Sequence, residues 1–423
     1  MRILFVTAFP QFPTGTGDRQ RSNFIYRALS RVGHTDTLLL SLYSQSHHPE
    51  LMQRMTEDFS MVGNLVPEPV TNGLQGKLRR LSPKLVDRAF SGAIQLTGGE
   101  YRTDPLLARG LAETLAKQRY DLIVGRYIRT TAQSGALDYT PVVIDVDDYD
   151  VQVFRDRLAS PELKGALRWA TSLHHRNLER VVPRRIAAAS HLWVAAESDV
   201  SEVPHPHVSA LPNLAFFKDG EAAPPVAPPA RDSQVILTVG NLNAPMNVHG
   251  IDRFVTRAWP RIHAAAPKAT FRIVGGSMSD AMRSRWGAIP GVEPIGFVLD
   301  LGEEYARSAF TVAPIYEGGG TKIKVLESLN RGRTVAMMRH SLRGYEHALR
   351  HGEDVWVADS DADLAEGCVR LLASPDLRDA YAAHGAVQAR AFSFSRFCEI
   401  VKSTVERVTA DGGGVQRAVQ RGA

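Results

Sequence analysis

Residues 312–337 read VAPIYEGGGTKIKVLESLNRGRTVAM. An apolar, β-branched run ends near Ile315, three glycines (318–320) turn the chain, and Thr321 opens an amphipathic helix over 321–331. A second apolar run, TVAMM (334–338), follows. Strand, loop, helix and strand in that order build a parallel sheet. A glycine loop at a helix N-terminus clusters backbone N–H groups into a phosphate cradle. Lys322 and Lys324 fall in the first helical turn, where cations oppose the macrodipole. A bound diphosphate reverses that penalty. Glu327 lies three residues beyond Lys324 on the same helix face, placed to accept both hydroxyls of a ribose. The plain alternative is a Lys324–Glu327 surface pair beside a turn, worth under about 1 kcal/mol. The Walker spacing GxxxxGK[ST] is missing, which disfavours a P-loop NTPase.

The same alternation extends in both directions. Upstream, QVILTVG (234–240) and ATFRIVG (269–275) read as strands, with AFTVAPI (309–315) leading into the glycine loop. Downstream lies DVWVAD (354–359), and helical patterns cover 247–264 and 361–373. A first half repeats the design with RILFVT (2–7), a helix near 19–32, TDTLLLS (35–41), DLIVG (121–125), PVVIDV (141–146) and HLWVAA (191–196). Between them AAPPVAPPARDS has no period and reads as a linker. The expected architecture is α/β, with two Rossmann-like doubly wound domains facing a central cleft. The expected boundaries are 1–217, a linker over 218–233, and a second domain over 234–393. A C-terminal helix over 394–410 can cross back to the first domain, and 411–423 reads as a disordered tail.

Composition narrows the classes. The 423 residues are 44% hydrophobic and 22% charged, as in a globular protein. Two cysteines, Cys368 and Cys398, cannot form a disulfide framework or a four-cysteine zinc site, and fit a reducing compartment. No run approaches the ~18 apolar residues of a membrane span. MRILFVTAFP reads as a buried first strand and not as a signal peptide. Nine of the 50 basic residues are lysines, leaving 41 arginines. A net charge of +5 over this length is no nucleic-acid footprint, so no nucleic-acid partner is expected.

Two segments of the first half carry further candidates. The loop PQFPTGTGDRQR (10–21) places Gly15 and Gly17 before a helix, with Arg21 able to reach an anion. It is not GxGxxG. The segment VVIDVDDYD (142–150) ends a strand in clustered carboxylates, among them Asp147 and Asp148. Such groups act as acid or base, hydrogen-bond sugar hydroxyls, or hold Mg²⁺. Helix capping by Asp148 or Asp150 accounts for part of the pattern without function.

The second half resembles family 4 (group 1) of the GT-B-fold glycosyltransferases, the sugar-nucleotide-dependent retaining enzymes. The resemblance rests on VGNLNAPMNVHGIDRFVTRAWPRI (239–262), FRIVGG (271–276), GFVLD (296–300), GGGTKIKVLESLNRG (318–332) and RGYEHAL (343–349). The first half is similar more loosely, through the glycine-bearing loop, VGRYIRT (124–130), DVDDY and LPN (211–213). The resemblance implies donor-ribose contacts at Glu327 and a basic diphosphate contact at Lys322 or Lys324. It implies an amide-rich loop at Gly318, Gly319, Gly320 and Thr321, and donor contacts at Gly240 and Asn241. It places Gly15, Gly17 and Arg21 toward the donor phosphates and the acceptor. Many members carry two glutamates separated by seven residues. The first would fall on position 319, which is glycine here, while Glu317 lies two residues earlier. Many also carry a histidine after the strand that here reads VVIDV, where this chain has Asp147 and Asp148.

The implied reaction is retaining sugar transfer from a nucleoside-diphosphate sugar, the co-substrate, to a glycan, glycolipid or lipid-linked acceptor hydroxyl. Lys322, Lys324, Glu327, Asp147 and Asp148 are the catalytic candidates. No tightly bound cofactor or metal is implied. Segment 76–96, GKLRRLSPKLVDRAFSGAIQL, is basic and apolar by turns. It reads either as a peripheral contact with the inner face of a cell membrane or as a solvated helix face of a cytoplasmic protein. A sugar-nucleotide epimerase of the same fold, a DXD metal-dependent transferase, which the two-domain plan disfavours, and a non-catalytic nucleotide-binding relative are the rival readings.

Overall fold

A computed structural model of the chain describes residues 1–8, 17–40, 49–65, 99–159, 163–215 and 224–418. Gly15, the segment 76–96, the start of the linker and the last residues of the tail lie outside the described residues. The chain divides into two compact units, Met1–Leu211 with Phe397–Ala423, and Pro212–Arg396.

In the first unit the strands are β1 (Arg2–Thr7), β2 (His34–Leu40), β3 (Met61–Leu65), β4 (Leu122–Arg126), β5 (Tyr139–Thr140), β6 (Val142–Asp147), β7 (His191–Val194) and β8 (Val208–Ala210). All but β5 form one sheet in the order β3-β2-β1-β4-β6-β7-β8, every pair parallel. Ile3, Leu4, Phe5 and Val6 are all fully buried, as expected of a strand covered on both faces. The order reverses direction at β1 and β4, the switch point beside which doubly wound sheets bind ligands.

The helix Phe394–Val408 spans the division between the units. Its later turns pack within the first unit. Phe397 meets Phe24 at 6.2 Å, Val401 and Val405 are fully buried, and Trp193 Nε1 donates to Thr404 Oγ1 at 3.2 Å.

In the second unit β9 (Val235–Val239), β10 (Thr270–Val274), β11 (Val292–Gly296), β12 (Phe310–Ala313), β13 (Val335–Met338) and β14 (Trp356–Ala358) form a parallel sheet in the order β11-β10-β9-β12-β13-β14. Phe254, Trp259, Phe271, Trp286 and Phe310 fill its core. The α/β, two-sheet architecture of the GT-B fold is therefore observed.

Three details differ from the expectation. The helix read over 247–264 is Pro245–Arg253, a π-turn at Phe254–Ala258, and Trp259–Ala265. Pro260 has no N–H to continue the ladder, and the wider turn absorbs the break. The tail read as disordered over 411–423 is ordered through residue 418. β15 (Gln416–Arg417) pairs antiparallel with β5, and Val415 packs on the first unit's core. Part of the linker read over 218–233 is likewise held down in the second unit. The Val226 N–H donates to the Arg331 carbonyl at 3.2 Å, and Arg333 donates to the Ala227 carbonyl.

Candidate functional site

The glycine loop leaves β12 and enters the helix Ile323–Asn330. Gly318 (φ 94°) and Gly320 (φ 70°) hold left-handed backbone that a side chain would strain. Lys322 occupies the N-cap position and is 5% exposed. Its Nζ folds back and donates to the carbonyls of Gly318, Gly319 and Gly320 at 3.2, 2.6 and 2.7 Å. His340 Nε2 also lies 2.6 Å from the Gly318 carbonyl. The Lys322 ammonium, expected from sequence as a diphosphate contact, therefore spends its donors inside the loop. Thr321 is buried beside the Tyr345 hydroxyl.

Lys324, two residues further, points elsewhere. Its Nζ donates to Asn247 Oδ1 at 2.8 Å, and Asn247 Nδ2 donates to the Asn241 carbonyl at 2.7 Å. The loop after β9 thereby meets the start of the Ile323–Asn330 helix. Gly240 completes the contact, since a Cβ there would lie 2.9 Å from Lys324 Nζ. Burial pushes the Lys324 ammonium down to about 7, and the charge of Lys322 adds to the shift against the pull of Glu327. A lysine held this way is short of an anion.

Glu327 sits one turn beyond Lys324 and is half-buried. Burial raises its carboxyl above the ordinary range, opposed by Arg331, Tyr305 and Lys324. Its neighbour Tyr305 is fully buried, and burial with the Glu327 charge drives its hydroxyl well upward. Glu317 lies apart, paired with His249 at 2.9 Å on the surface.

In the first unit the candidates gather at the carboxyl ends of β4 and β6. Gly17 is the exposed first residue of the helix Gly17–Ser30. Arg21, expected to reach an anion, is 2% exposed and grips Asp145 through Nε and Nη2 at 3.0 and 2.6 Å. Asp145 is itself fully buried and requires a countercharge. Arg126, also fully buried, donates to Asp145 at 2.6 Å and to Asp147 at 2.8 Å. Burial opposes its charge, but Tyr127, Asp145 and Asp147 outweigh that and hold it protonated. Tyr127 (φ 66°) and Asp147 (φ 63°) both occupy the left-handed region. Their side chains meet, with Tyr127 Oη 3.3 Å from Asp147 Oδ2. Such strain persists only where the surroundings enforce it. Asp148 follows directly on the loop. Arg126, Tyr127, Asn247 and Arg331 lie inside stretches that carry the resemblance but are not singled out within them, and Tyr305 and His340 lie in none.

Known proteins place this chain. Residues 233–374 match the model of the glycosyl transferases group 1 family. The chain is 26% identical over 213 residues to a phosphatidyl-myo-inositol mannosyltransferase of Mycobacterium leprae, covering 49% of this chain and 56% of that protein. It spans about half the length of the curated relatives it matches. Among solved structures, Anabaena HepE in complex with UDP superposes with a TM-score of 0.63 at 15% identity, covering 96% of this chain and all of that one. Sucrose-phosphate synthase of Thermosynechococcus elongatus gives 0.64 at 16% identity, over 97% and 100%. These likenesses show the fold. The chain has the GT-B fold, and through residues 233–374 it resembles the group 1 glycosyltransferases.

Proposed function

We propose that this protein transfers a sugar from a nucleoside-diphosphate sugar to an acceptor hydroxyl, with retention at the anomeric carbon. The observation that carries the reading is the Ile323–Asn330 helix. It presents Lys324 and Glu327 on one face, directly behind a glycine loop and against Gly240 and Asn241. Lys324 and the loop amides stabilise the charge that builds on the leaving diphosphate. Glu327 accepts the ribose hydroxyls. The departing phosphate takes the acceptor proton, so no protein nucleophile is required. Asp147, set by Arg126, and Asp148 beside it serve the acceptor side. UDP in the HepE structure supports a nucleoside-diphosphate donor. The mannosyltransferase relatives support a hexosyl group and a lipid-linked acceptor.

Thermal stabilisation by a panel of nucleotides and nucleotide sugars tests the reading, with EDTA present, on wild type and Glu327→Ala. Binding to the native state raises Tm by mass action. A nucleoside diphosphate that stabilises wild type and not the variant is the expected result. No shift with any nucleotide, with or without glycan and lipid acceptors, sinks the proposal.

A further inference from the structure

We infer that Lys322 is a positioning residue, one that turns the glycine loop inside out and so creates the anion site without touching the anion. The inference rests on the donor-site reading above and deepens it.

One ammonium gathers three successive carbonyls, those of Gly318, Gly319 and Gly320. In a trans peptide the N–H points opposite to the C=O of the same plane. The N–H groups of Gly319, Gly320 and Thr321 therefore point away from Lys322, all to one side. Among the described residues these three N–H groups take no hydrogen-bond acceptor. A run of outward N–H groups at a helix start is an anion-binding concavity. The left-handed turns at Gly318 and Gly320 make it sterically possible. They do not choose it, because glycine populates many conformations about equally. The choice comes from the ammonium, whose three donors match three carbonyls through charge-assisted bonds. Lys322 is 5% exposed, and its charge is neutralised by carbonyl dipoles on the inner side of the loop. Lys324 Nζ instead meets Asn247 and lies against Gly240. The two lysines, two residues apart, divide the work: one shapes the amide nest, the other faces the ligand. The ligand class for the nest is the distal phosphate of a nucleoside diphosphate.

Calorimetric titration of the full chain with UDP, GDP, UMP and GMP tests this, using wild type, Lys322→Met, Lys322→Arg and Lys324→Met. Lys322→Met is expected to weaken the diphosphate by about tenfold, about 1.4 kcal/mol, while the monophosphate changes little. Lys322→Arg, a donor to carbonyls of different shape, recovers part of the loss. The wild-type crystal structure with the bound diphosphate needs no variant to fold. There, Nζ of Lys322 stays on the three carbonyls, and the amides of Gly319, Gly320 and Thr321 meet phosphate oxygens. A direct bond from Lys322 Nζ to a phosphate oxygen overturns the inference. So does an unchanged diphosphate affinity in Lys322→Met. If wild type binds no nucleotide, the donor-site reading fails and takes the inference with it.

Discussion

Lys324 and Asn247 lie 77 residues apart and meet through a 2.8 Å hydrogen bond from Nζ to Oδ1. The amide's other end donates to the Asn241 carbonyl, so Asn247 ties the loop after β9 to the helix that carries Glu327. Burial depresses this lysine, and Lys322 reinforces the effect.

A pH dependence follows. With the folded ammonium at about 7, Lys324 is charged in the free site below that pH and loses its proton above it. A bound diphosphate restores the charge. Nucleoside-diphosphate affinity should therefore fall as pH rises above about 7, approaching tenfold per pH unit. Binding at pH 8 should take up close to one proton, read by calorimetry in buffers of different ionisation enthalpy. Lys324→Met removes both effects. The linkage for the unliganded chain has the opposite sense. Between about 7 and 10.5 the unfolded lysine holds more protons, so this group makes stability rise with pH across that window.

Two neighbouring glycines should separate binding from folding. A Cβ on Gly275 would lie 1.8 Å from the Gly240 carbonyl oxygen, which is backbone and cannot step aside. Gly275→Ala should cost about 1–3 kcal/mol or more of stability, seen as a lower urea midpoint. A Cβ on Gly240 meets side chains only, the end of Lys324 at 2.9 Å and the Asn247 amide at 3.0 and 3.1 Å. Gly240→Ala should lower the urea midpoint less than Gly275→Ala while weakening diphosphate binding several-fold.

Arg126 neutralises Asp145 in a fully buried setting. Arg126→Met strands that carboxylate with Arg21 as its remaining cation and releases Asp147 from its 2.8 Å contact. The expected cost is about 3–5 kcal/mol in urea unfolding. Adding Arg21→Met and Asp145→Leu should return part of it, since an apolar trio of similar size tolerates burial whereas a stranded Arg21 would not. A triple variant no more stable than the single one contradicts this account.

Glu327→Gln keeps the shape and removes the charge. It should weaken UDP or GDP by about tenfold and barely alter the affinity of the matching 2′,3′-dideoxynucleotide. Equal losses for both would place the glutamate's role away from the ribose.

Much of the fold was legible because it is written locally. The apolar runs of β1, β6, β9 and β12 are buried on both sides, and such strands announce themselves by continuous hydrophobicity. Of the strands that escaped the sequence reading, β3, β8 and β11 lie at the edges of the two large sheets. There fewer positions need be apolar, and β11 even carries Pro294. The tail strand β15 owes its order to β5 and Val415's core contact, neither visible from a glycine-rich terminus.

The sequence by itself determined two parallel α/β sheets and a glycine loop followed by two lysines and a glutamate at helical spacing, because periodicity and local backbone freedom are properties of adjacent residues. Only the tertiary structure decided what each charge does. Arg21 and Asp145 stand 124 residues apart, and burial of one obliges the other. Lys322 and Lys324 are chemically identical and nearly adjacent. Their separate tasks are set by what surrounds each ammonium: three loop carbonyls for one, an asparagine from a distant helix for the other.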